Sequence, residues 1–311
     1  MYSEASNFVT TTDNAFFFII GISVIFLVGI TGTILWFMYR YNQKRNPVAT
    51  QMHGSNTLEI VWTVIPTILV LIMFFYGWAG YSPMKNAPAD AMKIKATARM
   101  WSWMFEYENG IKTDTLYVPI DKPVSLDLIS LDVIHSFYIP AFRVKEDIVP
   151  GRGNKIWFIA QKEGSFELFC TEYCGLSHSY MFTDLKAMPQ KDFDAWYAKM
   201  ADTTQKAGEV ANPAAEGRRL VELNGCIACH SADGTKIVGP SFKGVYGHSV
   251  VVETDGKERE IIADDEYIKR SIYEPNADVV KGFVKGQMIS YKNQLKDEEV
   301  AKIIEYLKTL Q

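Results

Sequence analysis

Two long apolar runs near the N-terminus restrict this chain more than any other feature. Phe16 to Tyr39 is uncharged over about 24 residues, enough to cross a hydrocarbon core as a helix. Ile60 to Tyr81 is of similar length and contains Pro66, which membrane helices tolerate. A cleaved signal peptide needs a basic segment ahead of a shorter apolar core, whereas MYSEASNFVTTTDN has no basic residue. Residues 1–91 are therefore expected to hold a retained transmembrane hairpin. Its connecting loop carries Arg40, Lys44 and Arg45, and the opposite flank carries Glu4 and Asp13. The basic loop is expected on the cytoplasmic side, with both termini outside. Trp36, Tyr39, Tyr41, Trp62, Trp78 and Tyr81 suit the two interfaces. Glu59, at the cytoplasmic start of the second run, reads most simply as a carboxylate reaching the headgroups. An ionisable group at that depth is also a candidate for proton entry.

The remaining chain changes character twice. From Met92 to about residue 200 it shows short runs rich in β-branched and aromatic residues, such as KIKATARMWSWMFEY and NKIWFIAQKEGSFELFC, broken by NG, DKP and PGRG. Strands without intervening helices predict an all-β sandwich or barrel, closed by a helix over PQKDFDAWYAKM. Residues 201–214, ADTTQKAGEVANPA, are small and polar and read as a linker. Residues 215–311 read as a small all-α domain, ending in KDEEVAKIIEYLKTLQ with Asp297 as N-cap and Val300, Ile303, Ile304, Leu307 and Leu310 on one face. The net charge of −4 is shared among the segments after residue 81 with no charged tail, which leaves no footprint for nucleic acid.

The four cysteines fall in two close pairs, a spacing that suits metal or haem chemistry better than disulfides. CIACH, with Cys226, Cys229 and His230, is the attachment pattern for c-type haem: two thioethers and a proximal iron ligand. A thioredoxin-like dithiol would expect a neighbouring βαβ pattern, and a zinc site would need further ligands. The sixth iron ligand follows by elimination. Met288 is the only methionine after CIACH, and His248 is its rival; methionine would raise the haem potential.

The stretch CTEYCGLSHSYM crowds Cys170, Glu172, Cys174, His178 and Met181 into twelve residues. Two thiolates, an imidazole and a second histidine would make an ordinary zinc site. The thioether argues for copper, as does His135 in the strand-like DVIHSFYIP, which completes a pair of imidazoles. Two thiolates can bridge two coppers, each with one imidazole and one weak ligand. One unpaired electron then spreads over both metals, which suits electron exchange rather than substrate chemistry.

Taken together, the chain resembles subunit II of a haem–copper cytochrome c oxidase with a cytochrome c domain fused at its C-terminus. The segments HGSNTLEIVWTVIP, ATARMWSWMFEY, DVIHSFYIPAFRVKEDIVPGR and CTEYCGLSHSYM carry the resemblance. It implies a cupredoxin-like β domain over residues 92–200 with a binuclear CuA centre. The implied ligands are His135, Cys170, Cys174, His178, Met181 and the backbone carbonyl of Glu172, whose side chain is turned toward a magnesium ion at the interface with the catalytic subunit. It also implies that Trp101 is the point of electron entry to CuA and that Glu59 lies at the mouth of a proton channel; Trp103 suits plain sheet packing. The implied function is electron input to a terminal oxidase: donor, haem c, CuA, then the catalytic subunit I that reduces oxygen to water. The implied place is a bacterial cytoplasmic membrane, with both metal domains on the periplasmic face and further oxidase subunits as partners.

The fused domain departs from basic soluble donors, since residues 212–311 carry 14 basic and 16 acidic side chains. A tether supplies high effective concentration without steering. Either a cytochrome c or a membrane-bound quinol-oxidising complex could then be the electron donor. Two other readings are the equivalent electron-entry subunit of a CuA-type nitric oxide reductase and a stand-alone membrane-anchored electron carrier; a copper-delivery protein would lack the full six-ligand set. Five histidines, His53, His135, His178, His230 and His248, are too few for an oxygen site in this chain or for the cluster of a nitrous oxide reductase.

Overall fold

The structure, a computed structural model, describes residues 5–48, 50–51, 53–206 and 212–311. Glu4 and residues 207–211 of the expected linker lie outside the described residues. Helices α1 (Val9–Arg40) and α2 (Asn56–Tyr81) form the N-terminal hairpin. Both start earlier than the apolar runs. The helical hydrogen bonds of α1 extend back through the polar TTTD segment, where Thr12 N–H donates to Phe8 O (3.0 Å). The start of α2 is set by Ser55, whose Oγ accepts from Leu58 N–H. Both helices are long and apolar enough to span a membrane, and their hydrophobic windows have no buried residue. Such surfaces persist only against lipid or another chain.

Both ends of the hairpin distal to its basic loop are fastened to the β domain. Ser6 Oγ donates to Phe142 O (2.8 Å), and Asn7 exchanges two hydrogen bonds with the backbone of Ile159. Arg143 reaches Asp13 of α1 at 2.7 Å. Past α2, Trp157 Nε1–H donates to Pro83 O (3.1 Å).

The β domain is a sandwich of two five-stranded sheets. One has the order β3 (Lys112–Thr113), β2 (Ser102–Tyr107), β1 (Met92–Arg99), β5 (Pro123–Ser130), β8 (Asn154–Ile159). The other runs β4 (Leu116–Pro119), β10 (Phe182–Met188), β9 (Gly164–Cys170), β6 (His135–Ile139), β7 (Val144–Ile148). Alternation puts Ile94, Ala96 and Ala98 of β1 and Trp103, Phe105 and Tyr107 of β2 into the core. Arg99 is 1 % exposed as well, because the C-terminal domain covers it there. Helix α3 (Gln190–Lys206) continues six residues beyond the start of the expected linker, and α4 (Pro213–Leu223) begins inside its end. Asn212 Oδ1 caps α4 by accepting from Ala214 and Ala215.

In the C-terminal domain α4 crosses α6 (Asp297–Lys308), with α5 (Asp265–Tyr273) packed beside α6. Gly217 makes this crossing possible, since a Cβ there would lie 1.9 Å from Lys302 O. The N-cap of α6 is Lys296, not Asp297: Lys296 N–H donates to Glu299 Oε2 (2.8 Å), while Asp297 pairs with Lys269. The domain is not wholly helical. A sheet of order β12 (Lys257–Ile262), β11 (Ser249–Thr254), β13 (Val279–Val280) lies between CIACH and Met288. Its signal was legible: VVVET and KEREII flank Asp255-Gly256, both at positive φ, the pairing that tight two-residue hairpins require.

Candidate metal and haem centres

At one end of the sandwich, β6 supplies His135, β9 ends on Cys170, and the loop running to β10 supplies Glu172, Cys174, His178 and Met181. Cys170 Sγ and Cys174 Sγ stand 3.8 Å apart. His135 Nδ1 is 3.7 Å and Glu172 O 3.3 Å from Cys170 Sγ. His178 Nδ1 is 3.3 Å and Met181 Sδ 3.8 Å from Cys174 Sγ. All six predicted donors thus converge, and the ligand atoms of His135, Cys170 and Cys174 lie within 4.8 Å of one another. Two sulfurs, two imidazoles, a thioether and a carbonyl form a soft donor set that fits copper better than zinc. Against the effect of burial, hydrogen bonds from Cys174 and His135 bring the Cys170 thiol down to about 4; its thiolate then holds the Cys174 proton well above the ordinary range. A bound cation is what lets both sulfurs stand as thiolates.

Behind His135 sits Asp132, 2.7 Å from Nε2. The carboxylate accepts that N–H, which leaves Nδ1 free on the side of the sulfurs.

The second centre is an apolar cavity in the C-terminal domain. Cys226, Cys229 and His230 line it together with Ile268, Leu307 and Met288. His230 Nδ1–H donates to Pro240 O (2.7 Å), leaving Nε2 as the only free nitrogen. The imidazole stacks on Phe242 at 4.7 Å, and a Cβ on Gly239 would lie 2.6 Å from the ring. Burial pushes the Cys226 and Cys229 thiols up to about 11 and keeps His230 neutral. Ser271 and Tyr267 add hydroxyl groups to the largely apolar lining. These features fit a haem with a histidine on one side. Met288 lies in the cavity wall, whereas His248 is exposed and outside it.

Comparison with known proteins agrees with this layout. Residues 3–79 match the family described as cytochrome c oxidase subunit II, transmembrane domain; residues 111–188 match its periplasmic domain, and residues 214–311 match cytochrome c. Cytochrome c oxidase subunit 2 of Alkalihalophilus pseudofirmus is 32 % identical over 310 residues, covering 94 % of this chain and 85 % of that one. The chain belongs to the cytochrome c oxidase subunit II family. The subunit 2 of Bacillus sp. (strain PS3) is 31 % identical over 87 % of this chain and 79 % of its own. The crystal structure of the periplasmic domain of subunit II of cytochrome oxidase from Bradyrhizobium japonicum is 32 % identical, covers 39 % of this chain and 99 % of that one, with a TM-score of 0.36. Subunit II membership makes this a membrane-anchored component of an oxidoreductase complex, carrying a copper domain and a cytochrome c domain.

In this subunit II the two centres meet at the turn between β1 and β2. Trp101 is buried there, and its Nε1–H donates to Cys174 O (3.1 Å). The preceding residue, Met100, lines the haem cavity. Met100 N–H also donates to Asp132 Oδ2 (2.7 Å), so one carboxylate holds both this turn and His135. Trp103 is core, edge-on to Phe137. The Glu172 side chain is exposed, and Glu59 stands in the first turn of α2, apart from both centres. Sequence reasoning passed over Asp132, Met100 and Arg99. The first stands three residues before His135 in LDVIH, and the other two directly precede Trp101.

Proposed function

We propose that this chain is the electron-input subunit of a terminal respiratory oxidase. In that role haem c and a binuclear CuA, when bound, carry single electrons from an external donor to the haem–copper catalytic subunit, which reduces oxygen to water. The observation that carries this reading is the β1–β2 turn, where Met100 borders the haem cavity and Trp101 bonds the copper loop through Cys174 O. Cys226 and Cys229 would hold the haem through thioether bonds, and His230 and Met288 would ligate its iron. His135, Cys170, Cys174, His178, Met181 and the carbonyl of Glu172 hold copper. Trp101 is the entry residue: it is buried, its neighbour Met100 borders the haem cavity, and its indole bonds the copper loop.

Further roles follow from placement. Tyr173, Leu176 and Tyr180 surround the copper loop and are each about three-quarters exposed, a patch suited to the catalytic subunit. The exposed carboxylate of Glu172 suits a magnesium ion shared with that partner. Glu59, at the loop end of the hairpin, suits the mouth of a proton channel. The basic loop faces the cytoplasm, and both metal domains lie on the periplasmic face of a bacterial cytoplasmic membrane. The donor is a cytochrome c or a quinol-oxidising complex.

The complex, purified in mild detergent, tests the reading. It should show a c-type haem spectrum and a copper signal with hyperfine structure of one electron shared by two coppers, and should consume oxygen. A four-line single-copper signal, or turnover of nitric oxide with none of oxygen, would overturn it.

A further inference from the structure

Arg99 is a charged side chain of the copper domain that lies almost wholly inside the C-terminal domain's contact surface. It is 1 % exposed. Its Nη1 donates to Gln294 Oε1 (3.0 Å) and its Nη2 to Leu223 O (3.1 Å) and Asn224 Oδ1 (3.5 Å). Nε donates to Ser102 Oγ (3.3 Å), and the guanidinium lies 5.3 Å from the centre of the Tyr291 ring. Tyr291 in turn donates to Asn224 O (3.2 Å). Every acceptor is neutral, and three of the four belong to the haem domain. Leu223 O is one of the C-terminal carbonyls of α4 that the helix leaves without a partner, at the end where positive charge is favoured. Gly225 packs so tightly against the same turn that a Cβ would lie 2.1 Å from Ser102 Oγ. CIACH begins at the next residue.

A guanidinium is costly to bury unless its N–H groups are met, and here they are met by the other domain. When the domains part, the charge returns to water and the carbonyl of Leu223 is exposed. The contact thus rests on neutral acceptors rather than on an opposing charge. It also differs in kind from docking by opposed surface charges, which is screened beyond about 8 Å at physiological salt.

We propose that Arg99 is the positioning residue that docks the haem domain on the copper domain, through a fork of hydrogen bonds to neutral acceptors that ionic strength does not weaken. The fork fixes the segment leading into CIACH against the turn that carries Met100 and Trp101. The inference rests on the proposed electron-input role for its purpose, but docking is measured apart from electron transfer.

The test uses the full chain, loaded with haem and copper, in detergent. Hydrogen exchange of the 97–103 and 220–226 segments reads docking, and flash photoreduction reads the haem-to-copper rate. In the unaltered chain both should change by less than about twofold between low and high salt. Arg99→Met should lower protection and rate together by about tenfold or more, with both metal spectra retained. Arg99→Lys, which keeps the charge but not the planar fork, should fall close to Arg99→Met. Gln294→Leu should cost about threefold and add little in the Arg99→Met background; it carries the test if Arg99→Met fails to fold. Unchanged protection in Arg99→Met, additive effects in the double variant, or protection that collapses with salt in the unaltered chain would each overturn the latch. Intact, salt-resistant protection without any haem-to-copper transfer would instead keep the latch and remove the electron-input reading.

Discussion

His135 and His230 each spend one ring nitrogen on an acceptor and keep the other free, but the acceptors differ. His230 faces the neutral carbonyl of Pro240, and His135 faces the carboxylate of Asp132. A carboxylate makes its histidine the more basic ligand and favours the more highly charged, oxidised metal. Replacing Asp132 by Asn should therefore weaken copper binding by about 10- to 100-fold and raise the midpoint potential of the copper site. Competition with a chelator and a redox titration check the two effects. Met288→Ala should lower the haem potential and let exogenous ligands reach the iron, while His248→Ala should leave the spectrum unchanged. The ligand-type residues were legible one by one in the sequence because their chemistry is rare and their spacing tight. Asp132 was not, since an aspartate near a strand end is ordinary until its distance to His135 is known.

At the scale of elements, the three-stranded sheet of the haem domain hangs on a single buried carboxylate. The Asp278 side chain is 4 % exposed and holds Arg259 at 2.8 Å, with Arg270 and Thr254 Oγ1 also in contact. Burial alone would raise its pKa, but the Arg259 hydrogen bond, helped by Thr254 and Arg270, outweighs that and holds it below the ordinary range. A depressed folded-state pKa stabilises the fold above the unfolded value, and that contribution is lost as pH falls through the folded one. Thermal unfolding of the haem domain should thus steepen with acid below about pH 4, and Asp278→Asn should flatten that dependence. At neutral pH the variant should lose about 2 kcal/mol, less than for a fully buried pair, because both arginines are about 40 % exposed. The helix-based reading of this domain missed the sheet because apolar periodicity dominated the flanking segments. The β domain was easier, since its alternation continued over several consecutive runs.

For the whole molecule, the N-terminal tail, Asp13 and Pro83 hold both outer ends of the hairpin to the copper domain, so the basic loop lies at the far end. Protease should cleave the copper and haem domains in right-side-out membrane vesicles and spare them in inside-out ones; mass spectrometry of the released fragments checks this. The opposite pattern would reverse the proposed orientation. What the sequence determined by itself was local: two membrane-length runs, the strand pattern, CIACH and CTEYCGLSHSYM, each written in neighbouring residues whose spacing dictates period or ligation. What only the tertiary structure decided is how distant pieces meet. The sequence already sets His135 beside Cys170, but only the fold brings Asp132 to Met100 across 32 positions and Arg99 to Gln294 across 195. Pairings at such separations depend on sheet register and on one domain packing against another, and no local period in the chain encodes either.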